Sequence, residues 1–583
     1  MGDLSDFEPS PQLAHELNSE LSQLSGTKLT YDAAANVPAC DSFSVEAFSI
    51  EGQVLPSAGA AILLAVSVLV VLCLAAAGFW WWLGHPLLIG SDQALYTSMA
   101  QLFLEGRVPY VDMFDNNPPL AFYLQIPPVV IARLGNIPLS LSFSMYVSAL
   151  ALLSSLLMLT LALKCRHWGA MLSVLAATIG FAYFTQIQML DFGQREHLFC
   201  ILYMPFFVVR YLRWRGLKTD LLLALFCGVM AGIGIALKHY FLLIACAPEL
   251  VWLLRQRLYK PLLAPEVRAA ALVVLLYLVH FVFLPKEELH SFFTFIVPIY
   301  KEGYNYYVTS ALYNMGTFWR IEFYWMALVS LLALCLSRLG SLAPALCAFS
   351  VMSALVYVFA GQIWSYHMVP VRMANTMAFG VELVLLSALC CRHCFKNDWI
   401  GPLVKAAIAV IVCGASFYLY NLYHQTVGDL ALAEPYSMKN LGYVGSCPAA
   451  DIEPFVESCL AHSKPSDMVL FICSAMAPGY PLMVQTGRRP GSRFIHGMIL
   501  PILSFIDERK DLSASKRAYF RQCQKTVLNW YAEDIKRYKP ALIYVQDNPM
   551  KWILEKDKFI EKKMDNYQFL NVQDGISIYK RRY

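Results

Sequence analysis

Apolar runs of membrane-spanning length recur along the chain. About 20 consecutive apolar residues suffice to cross a bilayer as a helix. Runs of that kind occupy residues 60–83, 140–163, 169–187, 196–212, 219–237, 239–254, 265–284, 321–337, 341–360, 373–391 and 401–422. They predict a bundle of about eleven transmembrane helices. The run 119–134 is shorter and contains Pro127-Pro128, so it reads as an interfacial helix lying on the membrane. Residues 1–56 are polar and acidic, with Lys28 as their single basic residue. They lack the basic start and early apolar core of a cleavable signal peptide. They read as a tail, with a short helix over 11–24.

From about residue 424 the pattern changes. Short β-rich runs at 467–475, 541–547 and 569–579 read as strands, and 513–536 reads as a helix. The organisation is therefore a tail (1–56), a transmembrane domain (57–423) whose first external loop is 85–139, and an external α/β domain (424–583). Lys and Arg in short loops set the orientation. Lys164 and Arg166, Arg210 to Lys218, Arg255 to Lys260, Arg338, and Arg392 with Lys396 fall on one side when eleven helices are counted. That side is cytoplasmic. Asp92 to Asn117, the stretch 188–198, the turn 238–240, the loop 285–319 and the stretch 361–372 are then external.

Composition agrees with this reading. The chain has 583 residues, of which 58% are hydrophobic and 15% charged, against about 25% charged in soluble domains. A net charge of +4 without a basic tract gives no footing for nucleic acid. Most of the 16 cysteines lie in apolar runs, where a thiol is a small hydrophobe. Cys390, Cys391, His393 and Cys394 form one cluster without a matching partner pair. Cys447 and Cys459 are candidates for a disulfide in an oxidising compartment.

The external loops hold the residues that could carry chemistry. Asp92 lies just beyond the first apolar run. Asp115, Asn116 and Asn117 precede Pro118-Pro119. Arg195, Glu196, His197, Lys238, His239, His367 and Arg372 all return to the same face. Positive charge there runs against the topogenic trend. Each residue also has an ordinary reading. Asp92 or Ser91 could cap the helix that follows, and Asp112 could be solvated. Asp115 could order the Pro-Pro turn, and Arg195 could pair with Glu196. The histidines and Lys238 could be interfacial. The convergence of these residues from four separate loops on one face is what favours a site.

The stretch "SDQALYTSMAQLFLEGRVPYVDMFDNNPPLAFYL" (91–124), after an apolar first helix, resembles the first external loop of the GT-C glycosyltransferases. The closest resemblance is to the protein O-mannosyltransferase-like branch that includes the lipid A aminoarabinose transferases. Asp92, Ala100-Gln101, Leu104-Glu105-Gly106 and Pro118-Pro119-Leu120 occupy that motif, and "DFGQREHL" (191–198) looks like the second external loop of some bacterial members. The resemblance implies inverting transfer of a sugar from a polyprenyl-phosphate donor at the outer face of the plasma membrane. It implies Asp92 as the catalytic base. The family's acidic pair is Asp-Glu, and here it is Asp92-Gln93; the replacement of the pair's second acid by Gln93 raises Asp115 as helper or even as the base.

That chemistry needs a carboxylate to take the acceptor's proton and cations or donors to hold the leaving phosphate. Asp92 and Asp115 are the candidates for the first task. Arg195, His197, Lys238, His239, His367, Arg372, Asn117 and Glu196 are the candidates for binding the donor. The partners expected are the lipid-linked donor, membrane lipids and a glycan, lipid or protein acceptor, with no nucleic acid. No cofactor is assigned; a divalent metal stays open, and the single carboxylate at Asp92-Gln93 weakens the case for one held there. The competing reading is a transporter or flippase for a lipid-linked glycan, which would place ionisable groups mid-span. The spans look nearly free of them.

Overall fold

The computed structural model describes residues 57–84, 89–165, 168–186, 191–303, 308–335, 341–361, 364–394, 453–556 and 558–582. The tail 1–56, the eleventh predicted span at 401–422, and Cys447 lie outside the described residues. The other ten predicted spans are all helical. Among the described residues, four helices are long and apolar enough to cross a membrane: Ala61–Trp80, Leu139–Ala162, Pro265–Phe283 and Ser365–Ser387. Shorter apolar helices accompany them, among them Leu221–Ala236 and Ala343–Phe359. The outward side of Pro265–Phe283 presents Leu272, Leu275, Val282 and Phe283, each more than half exposed. An apolar face of that extent needs lipid or a partner to cover it.

The Arg195–Trp214 helix is the axis of the bundle. Nearly every residue of it is buried, so it is surrounded on all sides. Its middle is held by aromatic stacking: Phe199 lies 4.2 Å from Phe241 at 7° between planes, and Phe349 stacks behind it. The neighbouring Leu221–Ala236 helix closes on Pro265–Phe283 through glycines. A Cβ at Gly228 would stand 2.3 Å from the Glu266 carbonyl oxygen, and one at Gly232 would stand 2.7 Å from that of Ala270. Small residues at such a crossing let backbones approach.

At 20 residues the axial helix is about 30 Å long, so its two ends serve different surroundings. Its C-terminal end is locked by charge. Arg210, fully buried, donates to both carboxylate oxygens of Glu249 at 2.7 and 2.8 Å and to Glu266 at 2.8 Å. Arg213 joins Glu266 at 3.1 Å. These two arginines, read from sequence as loop charges, are therefore part of the packing between three helices. Its N-terminal end carries Arg195 and Glu196 toward the loops that hold Asp92 and Asp115.

Residues 119–134 form two helices where one was expected, Leu120–Tyr123 and Ile126–Gly135, because Pro127 and Pro128 fit the first turn of the second. The C-terminal residues form a five-stranded sheet of order β2-β1-β3-β5-β4. Its strands are β1 (Met468–Ile472), β2 (Arg489–Pro490), β3 (Leu542–Gln546), β4 (Tyr567–Gln573) and β5 (Ile576–Arg581). β1 pairs in parallel with β2 and β3, whereas β5 is antiparallel to both of its neighbours. The expected single strand at 569–579 is a hairpin. Asp574 and Gly575 form its two-residue turn with φ of 45° and 71°, the conformation that an Asp-Gly pair favours. The long helix is Ala514–Tyr538, capped by the Ser513 hydroxyl.

The sheet domain is not a separate appendage. One hydrophobic core runs from Tyr110 and Phe114 through Phe292, Ile296 and Ile299 into Ile472, Phe494, Ile502 and Tyr531. The Phe114 N–H donates to the Arg493 carbonyl at 2.7 Å, forming a short β-bridge between the loop that follows the first apolar helix and the domain. Cys459 is buried and carries no disulfide among the described residues.

Candidate active site

The segment after the first apolar helix begins with the Ser91–Phe103 helix. Gly90 occupies its N-cap position and no side chain caps it, so neither Ser91 nor Asp92 is spent on capping. Asp92 faces the loop ahead of the axial helix. Its Oδ2 accepts a 2.9 Å hydrogen bond from Gln194 Nε2 and lies 3.6 Å from Arg195 Nη2. Gln93 points elsewhere: its amide donates to the Phe192 carbonyl at 3.1 Å. An ionised glutamate there could only repel that carbonyl. This accounts for the Asp-Gln departure in terms of packing.

The loop 191–194 is set by Gly193. Its φ is +73°, and an added Cβ would fall 2.3 Å from the Phe143 ring. Its N–H donates to His197 Nδ1 at 2.9 Å. Gln194 then N-caps the axial helix through its side chain. Asp191 ties this loop to the next by accepting from Ser365 at 2.9 Å. Burial pushes the Asp191 carboxyl up to about 6.

Arg195 joins the two halves of the first loop. One nitrogen approaches Asp92, and another donates to the Asn117 side-chain oxygen. Asn117 returns its own amide to Asp115, at 3.1 Å from Oδ2, and its backbone N–H donates to the same oxygen at 3.2 Å. Asp115 is 1% exposed. Its other oxygen faces His496 Nε2 at 3.4 Å. Asp115 therefore orders the Pro-Pro turn and also belongs to the cluster.

Glu196 is not paired with Arg195. Its Oε1 accepts from Lys238 at 2.5 Å and from Tyr240 at 2.8 Å, and lies 3.5 Å from His367 Nε2. Lys238 also sits over the Tyr366 ring at 5.0 Å. Burial, followed by the nearby Arg195 charge, outweighs the pull of Glu196 and brings the Lys238 ammonium down to about 8.

Seven of the predicted residues thus meet: Asp92, Asp115, Asn117, Arg195, Glu196, Lys238 and His367. Three do not. His197 is 0% exposed, with its ring against Phe192, because residues two apart on a helix lie on opposite sides. His239 is exposed at the tip of its turn. Arg372 donates to Glu322 at 2.6 Å, and its charge reaches Asp191. Three participants were missed. Gln194 holds Asp92, and His496 closes over Asp115 from the C-terminal domain. Tyr96, one helical turn after Asp92, lies under Arg195 at 5.1 Å.

Several buried polar atoms here have no protein partner among the described residues: Tyr96 Oη, Arg195 Nε, Glu196 Oε2 and His496 Nδ1. Buried polar atoms ordinarily find partners in protein or ordered water, so these four atoms retain hydrogen-bonding capacity for water or a ligand. Among the described residues no group of three His, Cys, Asp or Glu side chains is arranged to hold a metal ion. Asp115 and His496 are a pair.

One ionisable group breaks the apolar pattern mid-span. Glu382, on the Val369–Cys394 helix, is 0% exposed, and neither of its carboxyl oxygens has a hydrogen-bond partner among the described residues.

No protein-family profile matches this sequence, and no curated protein matches it. Among solved structures, the chain is similar to ArnT from Cupriavidus metallidurans in the apo state, with a TM-score of 0.49 and 13% identity over 88% of this chain and 97% of that one. It is similar to the same protein bound to undecaprenyl phosphate at a TM-score of 0.47 and 14% identity, over 90% and 98% of the two chains. It is also similar to the Archaeoglobus fulgidus oligosaccharyltransferase tethered with an acceptor peptide, at 0.42 and 12% identity, over 91% and 74%.

Proposed function

We propose that this chain is an inverting membrane glycosyltransferase that takes a sugar from a polyprenyl-phosphate donor and passes it to a cell-envelope acceptor at the outer face of the plasma membrane. The observation that carries the reading is the cluster at the N-terminal end of the axial helix. Two carboxylates, Asp92 and Asp115, are bridged by Arg195 and Asn117, beside a second cation at Lys238, and unpartnered polar atoms gather there.

The step needs little acid catalysis, because phosphate is a good leaving group. An acceptor hydroxyl oxygen attacks the anomeric carbon while Asp92 takes its proton. The bond between that carbon and the phosphate oxygen breaks on the opposite side, and its electron pair stays on the phosphate. Arg195 and Lys238 meet the charge that develops there, and charge-assisted hydrogen bonds of this kind are the strong ones. Without substrate Arg195 rests against Asp92. The donor phosphate competes for Arg195 and frees the carboxylate to act as base. Gln194 holds Asp92 in place throughout.

The test is transfer of label from a set of radiolabelled polyprenyl-phosphate sugars to a membrane lipid extract by the purified chain. Release that requires the chain supports the reading. Absence of release with every donor, together with protein-dependent passage of labelled lipid across vesicles, replaces it with a flippase. The buried Glu382 would then be the first residue to examine.

A pH dependence follows from Lys238. Its proton leaves as pH rises through about 8, and the neutral amine no longer attracts phosphate. Affinity for polyprenyl phosphate should fall by several-fold between pH 7 and pH 9, and Lys238→Arg should flatten the profile, since Arg stays charged there. A wild-type profile that is already flat removes Lys238 from the phosphate site.

A further inference from the structure

We propose that the acceptor is a carbohydrate chain, held in an open groove between the C-terminal domain and the segment 286–295. The groove encloses about 910 Å³. Its floor is aromatic: Phe114, Phe295 and Trp530 form a continuous patch with ring centroids 5.0–6.0 Å apart. Arg493 lies over the Trp530 ring, 5.2 Å from its centroid, and is held there by Asp534. The rim is polar and exposed, with Lys286, His290 and Tyr519 among its residues. Ring faces below and hydrogen-bonding groups above suit a sugar, whose C–H face packs on aromatics while its hydroxyls point to the rim.

The place of the groove assigns the ligand a role. Phe114 and Asp115 are neighbours at the β-bridge to residue 494, where successive side chains point to opposite faces. Phe114 lines the groove, and Asp115 faces Asn117 and His496. One strand of backbone therefore separates the groove from the carboxylate cluster. An extended peptide is the less suitable occupant. One mode of peptide binding adds a strand to a free sheet edge, and the Phe114 N–H at this bridge is already given to the Arg493 carbonyl.

The inference rests on the transferase reading, and the test separates the two. The full-length protein is passed over immobilised neutral and phosphorylated oligosaccharides, with short peptides as a second panel, and polyprenyl phosphate binding is measured alongside. Retention on oligosaccharides is expected, weakened about tenfold or more by Trp530→Ala, as for a central aromatic contact, with polyprenyl phosphate binding unchanged. Trp530 is partly buried, so Tyr519→Ala, at an exposed rim position, provides a second variant that should weaken retention severalfold. Failure of the wild type to retain any oligosaccharide while it binds polyprenyl phosphate overturns the groove and leaves the transferase reading standing. Retention on peptides that the same variants abolish overturns the carbohydrate assignment. Retention that neither variant alters overturns the location. Failure to bind polyprenyl phosphate sinks the transferase reading and, with it, the acceptor role.

Discussion

Asp92→Asn should lower turnover by a factor of about 10²–10⁴, the usual contribution of a positioned general base, while leaving expression close to wild type and polyprenyl phosphate affinity at or above it, because Arg195 loses the carboxylate that competes with the phosphate. The substitution keeps the shape of the side chain. Its remaining oxygen can still accept from Gln194, which now reaches Asp92 at 2.9 Å. It removes the proton acceptor and the charge facing Arg195. Label release from a polyprenyl-phosphate sugar is the measurement, with Asp115→Asn assayed beside it. Asp115 is the more deeply buried of the two and is shared between Asn117 and His496, so its variant should lose stability as well as rate. A folded Asp92→Asn protein with wild-type turnover, paired with an inert Asp115→Asn, transfers the role of base to Asp115.

The second large effect is expected from a residue with no side chain. Gly193→Ala places a Cβ 2.3 Å from the Phe143 ring at a φ of +73°. The left-handed conformation costs roughly 1 kcal/mol for a residue with a side chain, and overpacking a buried site adds roughly 1–3 kcal/mol. Thermal unfolding in detergent should show a loss of about 3 kcal/mol. Donor affinity should fall with it, because Gln194 and Arg195 are the next two residues and both bear on Asp92. Trimming the obstacle offers a check. In a double-mutant cycle, Phe143→Leu should be less harmful in the Gly193→Ala background than alone. Strict additivity would mean that the backbone conformation, and not the clash, is the source of the loss.

The helices of the bundle were legible because apolar runs are a local signal, and ten predicted segments are helical within the described residues. The motif from Asp92 to Leu120 was legible for the same reason. What lay beyond reach was direction and long-range pairing. Arg195, Glu196 and His197 are consecutive, yet a helix turns each by about 100°. One therefore goes to Asp92, the next to Lys238, and the third into the packing with Phe192. Lys238 and His239 separate likewise across a turn. His496 gave no sign of itself, since the stretch "GSRFIHGMI" has no pattern that distinguishes a site residue from a core histidine. It reaches Asp115 only because residues 114 and 494 pair across the fold. One signal was simply passed over: the Asp574-Gly575 pair announces a hairpin, and the run was read as a single strand. Glu382 was passed over too, although a lone acid in an apolar helix is readable.

The seam at Phe114 and Phe494 bears on how such a protein can change over time. An anchored bundle with a domain on top looks like two modules that evolution could recombine freely. Here the domain supplies the histidine that closes over Asp115, and its sheet shares a core with the loop that carries the carboxylate. Exchange of the domain for another would uncover that carboxylate and open the groove beside it. The two halves therefore constrain one another, and a substitution at the seam is felt on both sides of it.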